Sequence, residues 1–272
     1  MTNDPLSRSS GVLIHLPLGP PLIALLAAAA FGAGLVDAIA GGGGLVSLPA
    51  LLAAGLPPVL ALGTNKGQAV FGATASAVTY WRRGAIDRDR AALGFAAGFV
   101  GSWLGARAVL AVPLGLLRGI VIVLLLIAAA VVLLRRNVAP RPTTLGPGAA
   151  RAALLAIALG LGAYDGFFGP GTGSMLVIAF ATVFGDALTR ASGNAKVVNL
   201  ASNLAAMTLF AAHGTILWRV ALPMAAANAL GATTGAHLAV RNGDRLVRVV
   251  VVAVVLAVVV KLVIDLLRTH GS

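Results

Sequence analysis

The sequence predicts an all-α integral membrane protein of two inverted repeats, each a glycine-broken helical hairpin followed by three spanning helices. Three observations predict it. Of 272 residues, 59% are hydrophobic and only 10% are charged. A soluble domain carries charge on roughly a quarter of its residues, so the solvent here is lipid. The apolar residues fall into ten segments separated by short breaks. A set of Asp, Gly and Lys positions in the first half of the chain recurs, in the same order and at nearly constant spacing, in the second.

The segments lie at about 20–40, 43–56, 59–81, 89–111, 113–134, 150–168, 172–185, 188–212, 218–240 and 243–267. Most approach the ~20 residues that cross a ~30 Å hydrocarbon core. The second and seventh are too short to span comfortably as helices. Each follows a glycine-rich break, Gly41-Gly42-Gly43-Gly44 in one case and Gly169-Pro170-Gly171-Thr172-Gly173 in the other. The one obvious linker is the Pro-, Gly- and Arg-rich stretch 135–149. The chain therefore divides into a tail (1–19), a first repeat (20–134), the linker, a second repeat (150–267) and a tail (268–272).

The two halves carry the same features in the same order. Gly34-Leu35-Val36-Asp37 corresponds to Gly162-Ala163-Tyr164-Asp165. At a slightly longer and then constant spacing, Lys66 corresponds to Lys196, Gly84 to Gly214, and the pair Gly101 and Gly105 to Gly231 and Gly235. Repeats of this kind are common in secondary transporters and put a substrate site at their interface. The GxxxG pairs are expected to pack helices closely.

Arginines set the orientation. Arg82, Arg83, Arg88 and Arg90 surround one loop, Arg135, Arg136, Arg141 and Arg151 the linker, and Arg241, Arg245 and Arg248 a third. Positively charged loops face the cytoplasm. All three do so only when each half crosses an odd number of times. The halves are then inverted, with both termini outside the cytoplasm. The same bias accounts for the net charge of +12 without nucleic acid.

The glycine breaks are the most informative feature. Irregular backbone at membrane depth must be buried in protein or line a polar cavity. After each break a short helix begins, near Leu45 and near Ser174. Its first N–H groups and positive dipole end are suited to an anion. Ser47, Thr172 and Ser174 stand nearby. The third and eighth segments carry polar stripes at helical spacing. They are Asn65, Gln68, Gly72, Ser76 and Thr79, and Ser192, Lys196, Asn199 and Asn203. Such stripes face a cavity or other helices rather than lipid.

Between Pro20 and Trp81 the formally charged residues are Asp37 and Lys66. An ionised group in the membrane core costs at least ~2.5–3.5 kcal/mol. Lys66 and Lys196 are expected either to bind an anion or to snorkel to the surface. Asp37 and Asp165 sit at helix C-termini, whose dipole repels a carboxylate. They are expected to be protonated or paired, as proton-coupling residues or as structural partners of the lysines. Asp186 with Arg190, and Lys261 with Asp265, read as local i,i+4 ion pairs. The expected substrate-binding set is Gly42, Gly43, Gly44, Ser47, Asn65 and Lys66, together with Gly171, Thr172, Gly173, Ser174, Asn194, Lys196, Asn199 and Asn203. No catalytic residue, metal or cofactor is expected.

Other chemistries are disfavoured. There is no cysteine, which removes disulfides, zinc–thiolate sites and thiol catalysis. His15, His213, His237 and His270 are dispersed without metal-ligand spacing. No Walker A motif would couple ATP directly. Gly171-Thr-Gly-Ser174 is a poor match to the GxSG of intramembrane serine proteases.

Together these features resemble the TauE/SafE family of sulfite-exporter-like permeases. The resemblance rests on Gly34 to Gly44 with Pro49, on Gly63-Thr-Asn-Lys66, and on Gly193-Asn-Ala-Lys196 with Asn199-Leu-Ala-Ser-Asn203 and Gly214. It covers about residues 20–267. It implies a permease for a small sulfur-containing anion such as sulfite or an organosulfonate. The alternative is an intramembrane enzyme acting on a lipid phosphate, with the same lysines and helix N-termini holding the phosphate.

Overall fold

The computed structural model describes residues 19–134 and 145–242. The segment 243–267, with Arg245, Arg248, Lys261 and Asp265, lies outside the described residues, as does most of the linker. The described residues form helices and no strand. The first half contains α1 (Pro20–Ala40), α2 (Gly44–Ala53), α3 (Pro58–Arg82), α4 (Arg88–Leu110) and α5 (Leu114–Leu134). The second contains α6 (Pro147–Phe167), α7 (Thr172–Val183) and α8 (Leu188–Ala212), then α9 over 218–242. Corresponding helices match in length. α1 and α6 have 21 residues each, and α3 and α8 have 25 each. α2 and α7 are short, at 10 and 12 residues.

By length and apolar composition, α1, α4, α6 and α8 can each cross a membrane. α3 equals α8 in length and buries Leu60 through Gln68 without interruption. Local sequence sets the helix ends. Proline stands at the start of α1, α3 and α6, where its missing N–H is no loss. Asp87 caps α4, accepting from the N–H groups of Asp89 and Arg90. α1 stops at Gly41 (φ 75°), whose N–H donates to the Asp37 carbonyl at 2.8 Å. That left-handed cap needs glycine.

The surface is inverted relative to a soluble protein. Leu25, Leu104 and Leu230 are exposed, while Lys66 and Lys196 are among the most buried side chains. Helices of one half pack chiefly on helices of the other. Gly101 and Gly105 of α4 back onto the carbonyls of Leu159 and Ala163 of α6. Gly231 and Gly235 of α9 back in the same way onto Phe31 and Leu35 of α1. The glycines are equivalent in the sequence repeat, and so are their partners. Both helix pairs run parallel.

α3 and α8 run antiparallel. Gly63 meets the Thr215 carbonyl and Gly193 meets that of Ala85. The Leu217 N–H donates to Thr64 Oγ1 at 3.0 Å, and the Asp87 N–H donates to Asn194 Oδ1 at 2.8 Å. These contacts again occupy equivalent positions of the two halves.

Candidate functional site

Where the two glycine breaks meet, their backbones touch. A Cβ on Gly41 would land on the Gly173–Ser174 peptide, and one on Gly173 would land on Gly41. The Ser174 N–H donates to the Gly41 carbonyl at 2.9 Å, and Ser174 Oγ donates to the Ala40 carbonyl at 2.8 Å. Ser192 Oγ reaches the Ile39 carbonyl from α8 at 3.1 Å. The carbonyls freed where α1 stops are thus satisfied by the opposite half, as buried backbone requires.

Beside this crossing lies one polar cavity of about 30 Å³, room for roughly one water. Gly41, Gly43 and Gly44 line it from one break, and Gly169 and Gly173 from the other. Asp37, Ser47, Asn65, Lys66 and Gln68 of the first half face Asp165, Asn199, Asn203 and Asn228 of the second.

The charges pair across the halves. Lys66 Nζ lies 2.9 Å from Asp165 Oδ1, with both side chains 2% exposed. Lys196 Nζ lies 2.6 Å from Asp37 Oδ2, at 0% and 21% exposure. Lys66 also donates to Asn203 Oδ1 at 3.2 Å. Ser202 Oγ donates to the second Asp165 oxygen, and the Gly43 N–H to Asp37 Oδ1 at 3.3 Å. This arrangement replaces the expectation of surface snorkelling for the lysines. Nζ is buried and satisfied in both, and pairing offsets the cost of charge in the core.

Part of the cavity wall is a chain of neutral groups that runs from the second half into the first. Asn228 Nδ2 donates to Gln68 Oε1. Gln68 Nε2 and Ser47 Oγ donate to Asn65 Oδ1 at 3.0 and 2.7 Å. Glycines make the space, since a Cβ on Gly34 or Gly72 would strike Asn228.

A model of the family described as "Sulfite exporter TauE/SafE" matches residues 26–262. The chain belongs to the sulfite exporter TauE/SafE family. Among its relatives is a probable membrane transporter protein of Haemophilus influenzae, 37% identical over 92% of this chain and 98% of the relative. A probable membrane transporter protein of Sinorhizobium is 37% identical over 90% of this chain and 93% of its own length. The probable membrane transporter protein YfcA of Escherichia coli K12 is 36% identical over 94% and 93%. No solved structure matches the chain significantly. The family match and the apolar helices make this a multi-pass protein of the bacterial inner membrane.

Seen as a TauE/SafE chain, the expected site residues separate into groups. Gly43, Gly44, Ser47, Asn65, Lys66, Gly173, Asn199, Asn203, Asp37 and Asp165 all line the cavity. Lys196 stands behind it, holding Asp37. Gly42, Gly171, Thr172 and Ser174 belong to the breaks and shape their backbone rather than the wall. Thr172 Oγ1, for example, donates to the Gly169 carbonyl at 2.7 Å. The Leu45 and Ser174 N–H groups, expected to be open, are already bonded to the carbonyls of Gly42 and Gly41.

Two expectations need correction. Asn194 lies at the arginine-rich end, donating to Asp186 Oδ2 at 2.8 Å. Asp186 pairs with Arg90 at 2.8 Å rather than with Arg190, which approaches Asp87 at 3.8 Å. The helix break before α8 turns Asp186 toward the other half, so i,i+4 spacing does not apply. The expected site set omitted Gly41, Gln68, Ala69, Gly169 and Asn228, which also line the wall. Asn228 has no repeat counterpart, since Gly98 stands at the equivalent position of the first half. A lone amide in an apolar segment was the available signal.

Proposed function

We propose that this chain is a secondary permease for a small sulfur-containing anion such as sulfite or an organosulfonate, coupled to protons. The substrate site is the cavity between the glycine breaks. The observation that carries the reading is the paired lysines and aspartates, set across two repeats around one polar cavity. An anion entering a low-dielectric cavity loses hydration, so the protein must supply positive charge and N–H donors. Lys66, Asn65 and Asn199 are the donors at hand. With both aspartates ionised, the two lysines are neutralised. A proton on Asp37 frees a net positive charge for the anion, which ties binding to protonation.

Inverted topology is part of the proposal. α3 and α8 are antiparallel, whereas α4 is parallel to α6 and α1 to α9. The two hairpins then enter from opposite ends of the bundle. Each half contributes a re-entrant hairpin and an odd number of crossings. Arg82, Arg83, Arg88, Arg90, Arg151 and Arg241 fall at one end, the cytoplasmic one by the positive-inside rule. A cavity of about 30 Å³, with room for roughly one water, is too small to hold sulfite. Admission of an anion requires the hairpins to part, as in alternating access. The lipid-phosphate enzyme gains no support from the site, because both core carboxylates are engaged by lysines.

Uptake of radiolabelled sulfite into proteoliposomes tests the reading. Flux of unchanged anion, stimulated by an imposed proton gradient, is expected. Absence of flux for sulfite and for a panel of sulfonates, or chemical change of the solute, overturns it.

A further inference from the structure

The two ends of the bundle are closed by different chemistry. At the arginine-rich end, Arg90 at the start of α4 donates through Nη2 to Asp186 Oδ1 and through Nε to Asp87 Oδ2, both at 2.8 Å. Its guanidinium lies 4.7 Å from the ring centre of Phe184 and 5.9 Å from that of Phe180. Arg90 and Asp87 belong to the first half, and Asp186 and the phenylalanines to the second. At the other end, the equivalent positions of the repeat hold Leu56 for Asp186, Leu217 for Asp87 and Val220 for Arg90. Those three pack in one apolar cluster. Equivalent side-chain bonds, from Thr64 at one end and Asn194 at the other, tie the two halves together at both ends. The closing groups differ.

Arg90 Nη1 is buried without a hydrogen-bond partner among the described residues. A buried donor left unpaired opposes the closed arrangement, and water would satisfy it once the halves part.

We propose that Arg90, with Asp186 and Asp87, is a releasable latch that closes the cavity toward the arginine-rich face, while apolar side chains in place of ion pairs close the other. The inference rests on the permease reading for its purpose, but its test needs no substrate. The chain has no cysteine, so one placed at Ala69, a partly exposed wall residue, reports access to the cavity. A membrane-impermeant thiol reagent is applied from each face in right-side-out and inverted vesicles. Asp186→Asn keeps the shape and the bond to Asn194 but removes the charge that Arg90 meets. Labelling from the arginine-rich face is expected to rise roughly tenfold, the worth of a charge-assisted bond, with labelling from the other face unchanged. Arg90→Gln is expected to do the same. If Arg90→Gln does not fold, the milder Asp186→Asn decides alone. Unchanged labelling in Asp186→Asn, or an equal rise from both faces, overturns the latch. A one-sided rise in a protein that carries no anion leaves the latch standing and sinks the permease reading instead.

Discussion

Lys66 with Asp165 and Lys196 with Asp37 are the same pair built twice, in surroundings that differ. Asp165 is sealed, with one oxygen on Lys66 and the other on Ser202. Asp37 is about a fifth exposed and holds Lys196 and the Gly43 N–H. Lys66 faces the cavity, whereas Lys196 is wholly buried behind it. The cavity wall therefore holds one cation, the buried Lys66, and one partly exposed carboxylate, Asp37, both from the first half. A sequence repeat that places charges symmetrically has been given asymmetric roles by what packs around them.

The largest expected effect separates the two lysines. Lys66→Met leaves Asp165 buried without its cation, and breaking such a pair costs about 3–5 kcal/mol. The variant should melt well below the parent in detergent and lose flux. Lys196→Met strands Asp37 instead, which keeps the Gly43 N–H and access to water, so its loss of stability should be smaller. The double variant Lys66→Met/Asp165→Asn should regain stability without regaining flux. Thermal unfolding of the three proteins checks the ranking. A Lys196→Met protein less stable than Lys66→Met would break the comparison.

Much of this was legible in the sequence, for a physical reason. Lipid leaves charges few, so Asp37, Lys66, Asp165 and Lys196 stood out, and the repeat linked them. The helices were readable because their apolar runs are long and their ends carry Pro57-Pro58, Gly41 and Asp87. The partner choice was not readable. Nothing in the spacing says that Lys66 takes Asp165 rather than Asp37, because that depends on which half each helix packs against. The Arg90–Asp186 pair was hidden for the same reason. Asn194 was assigned to the site by its closeness to Lys196, but residues two apart on a helix point about 200° away from each other.

A smaller effect should sharpen the contrast between the aspartates. In Asp37→Asn the amide oxygen still accepts from Lys196, so the protein should fold and bind sulfite. Its uptake should lose most of its dependence on pH. Asp165→Asn should leave that dependence in place, because both Asp165 oxygens are held by protein groups and the side chain is 2% exposed. Sulfite uptake by both variants, measured from mildly acidic to neutral pH, checks this. A pH dependence removed by Asp165→Asn and kept by Asp37→Asn would reverse the assignment.

The smallest expected effect comes from a carboxylate outside the membrane, and it guards the previous measurement. Partial burial pushes the Asp87 carboxyl up. The side-chain bond from Arg90, its charge, and the N–H groups of Arg90 and Asp89 outweigh this, and the net shift is downward. A carboxylate lowered in the folded state contributes stability above its unfolded pKa of ~3.9. That contribution is lost as the pH falls through the lowered folded value. Asp87 therefore weakens the protein only in strong acid and changes nothing between mildly acidic and neutral pH. Asp87→Asn should be slightly less stable at neutral pH and show a shallower decline below about pH 4. The pH at which sulfite uptake is half-maximal should not move. Were that midpoint to shift with Asp87→Asn, the proton dependence would belong to the surface cluster around Arg90, and the partly exposed Asp37 would lose its claim to it.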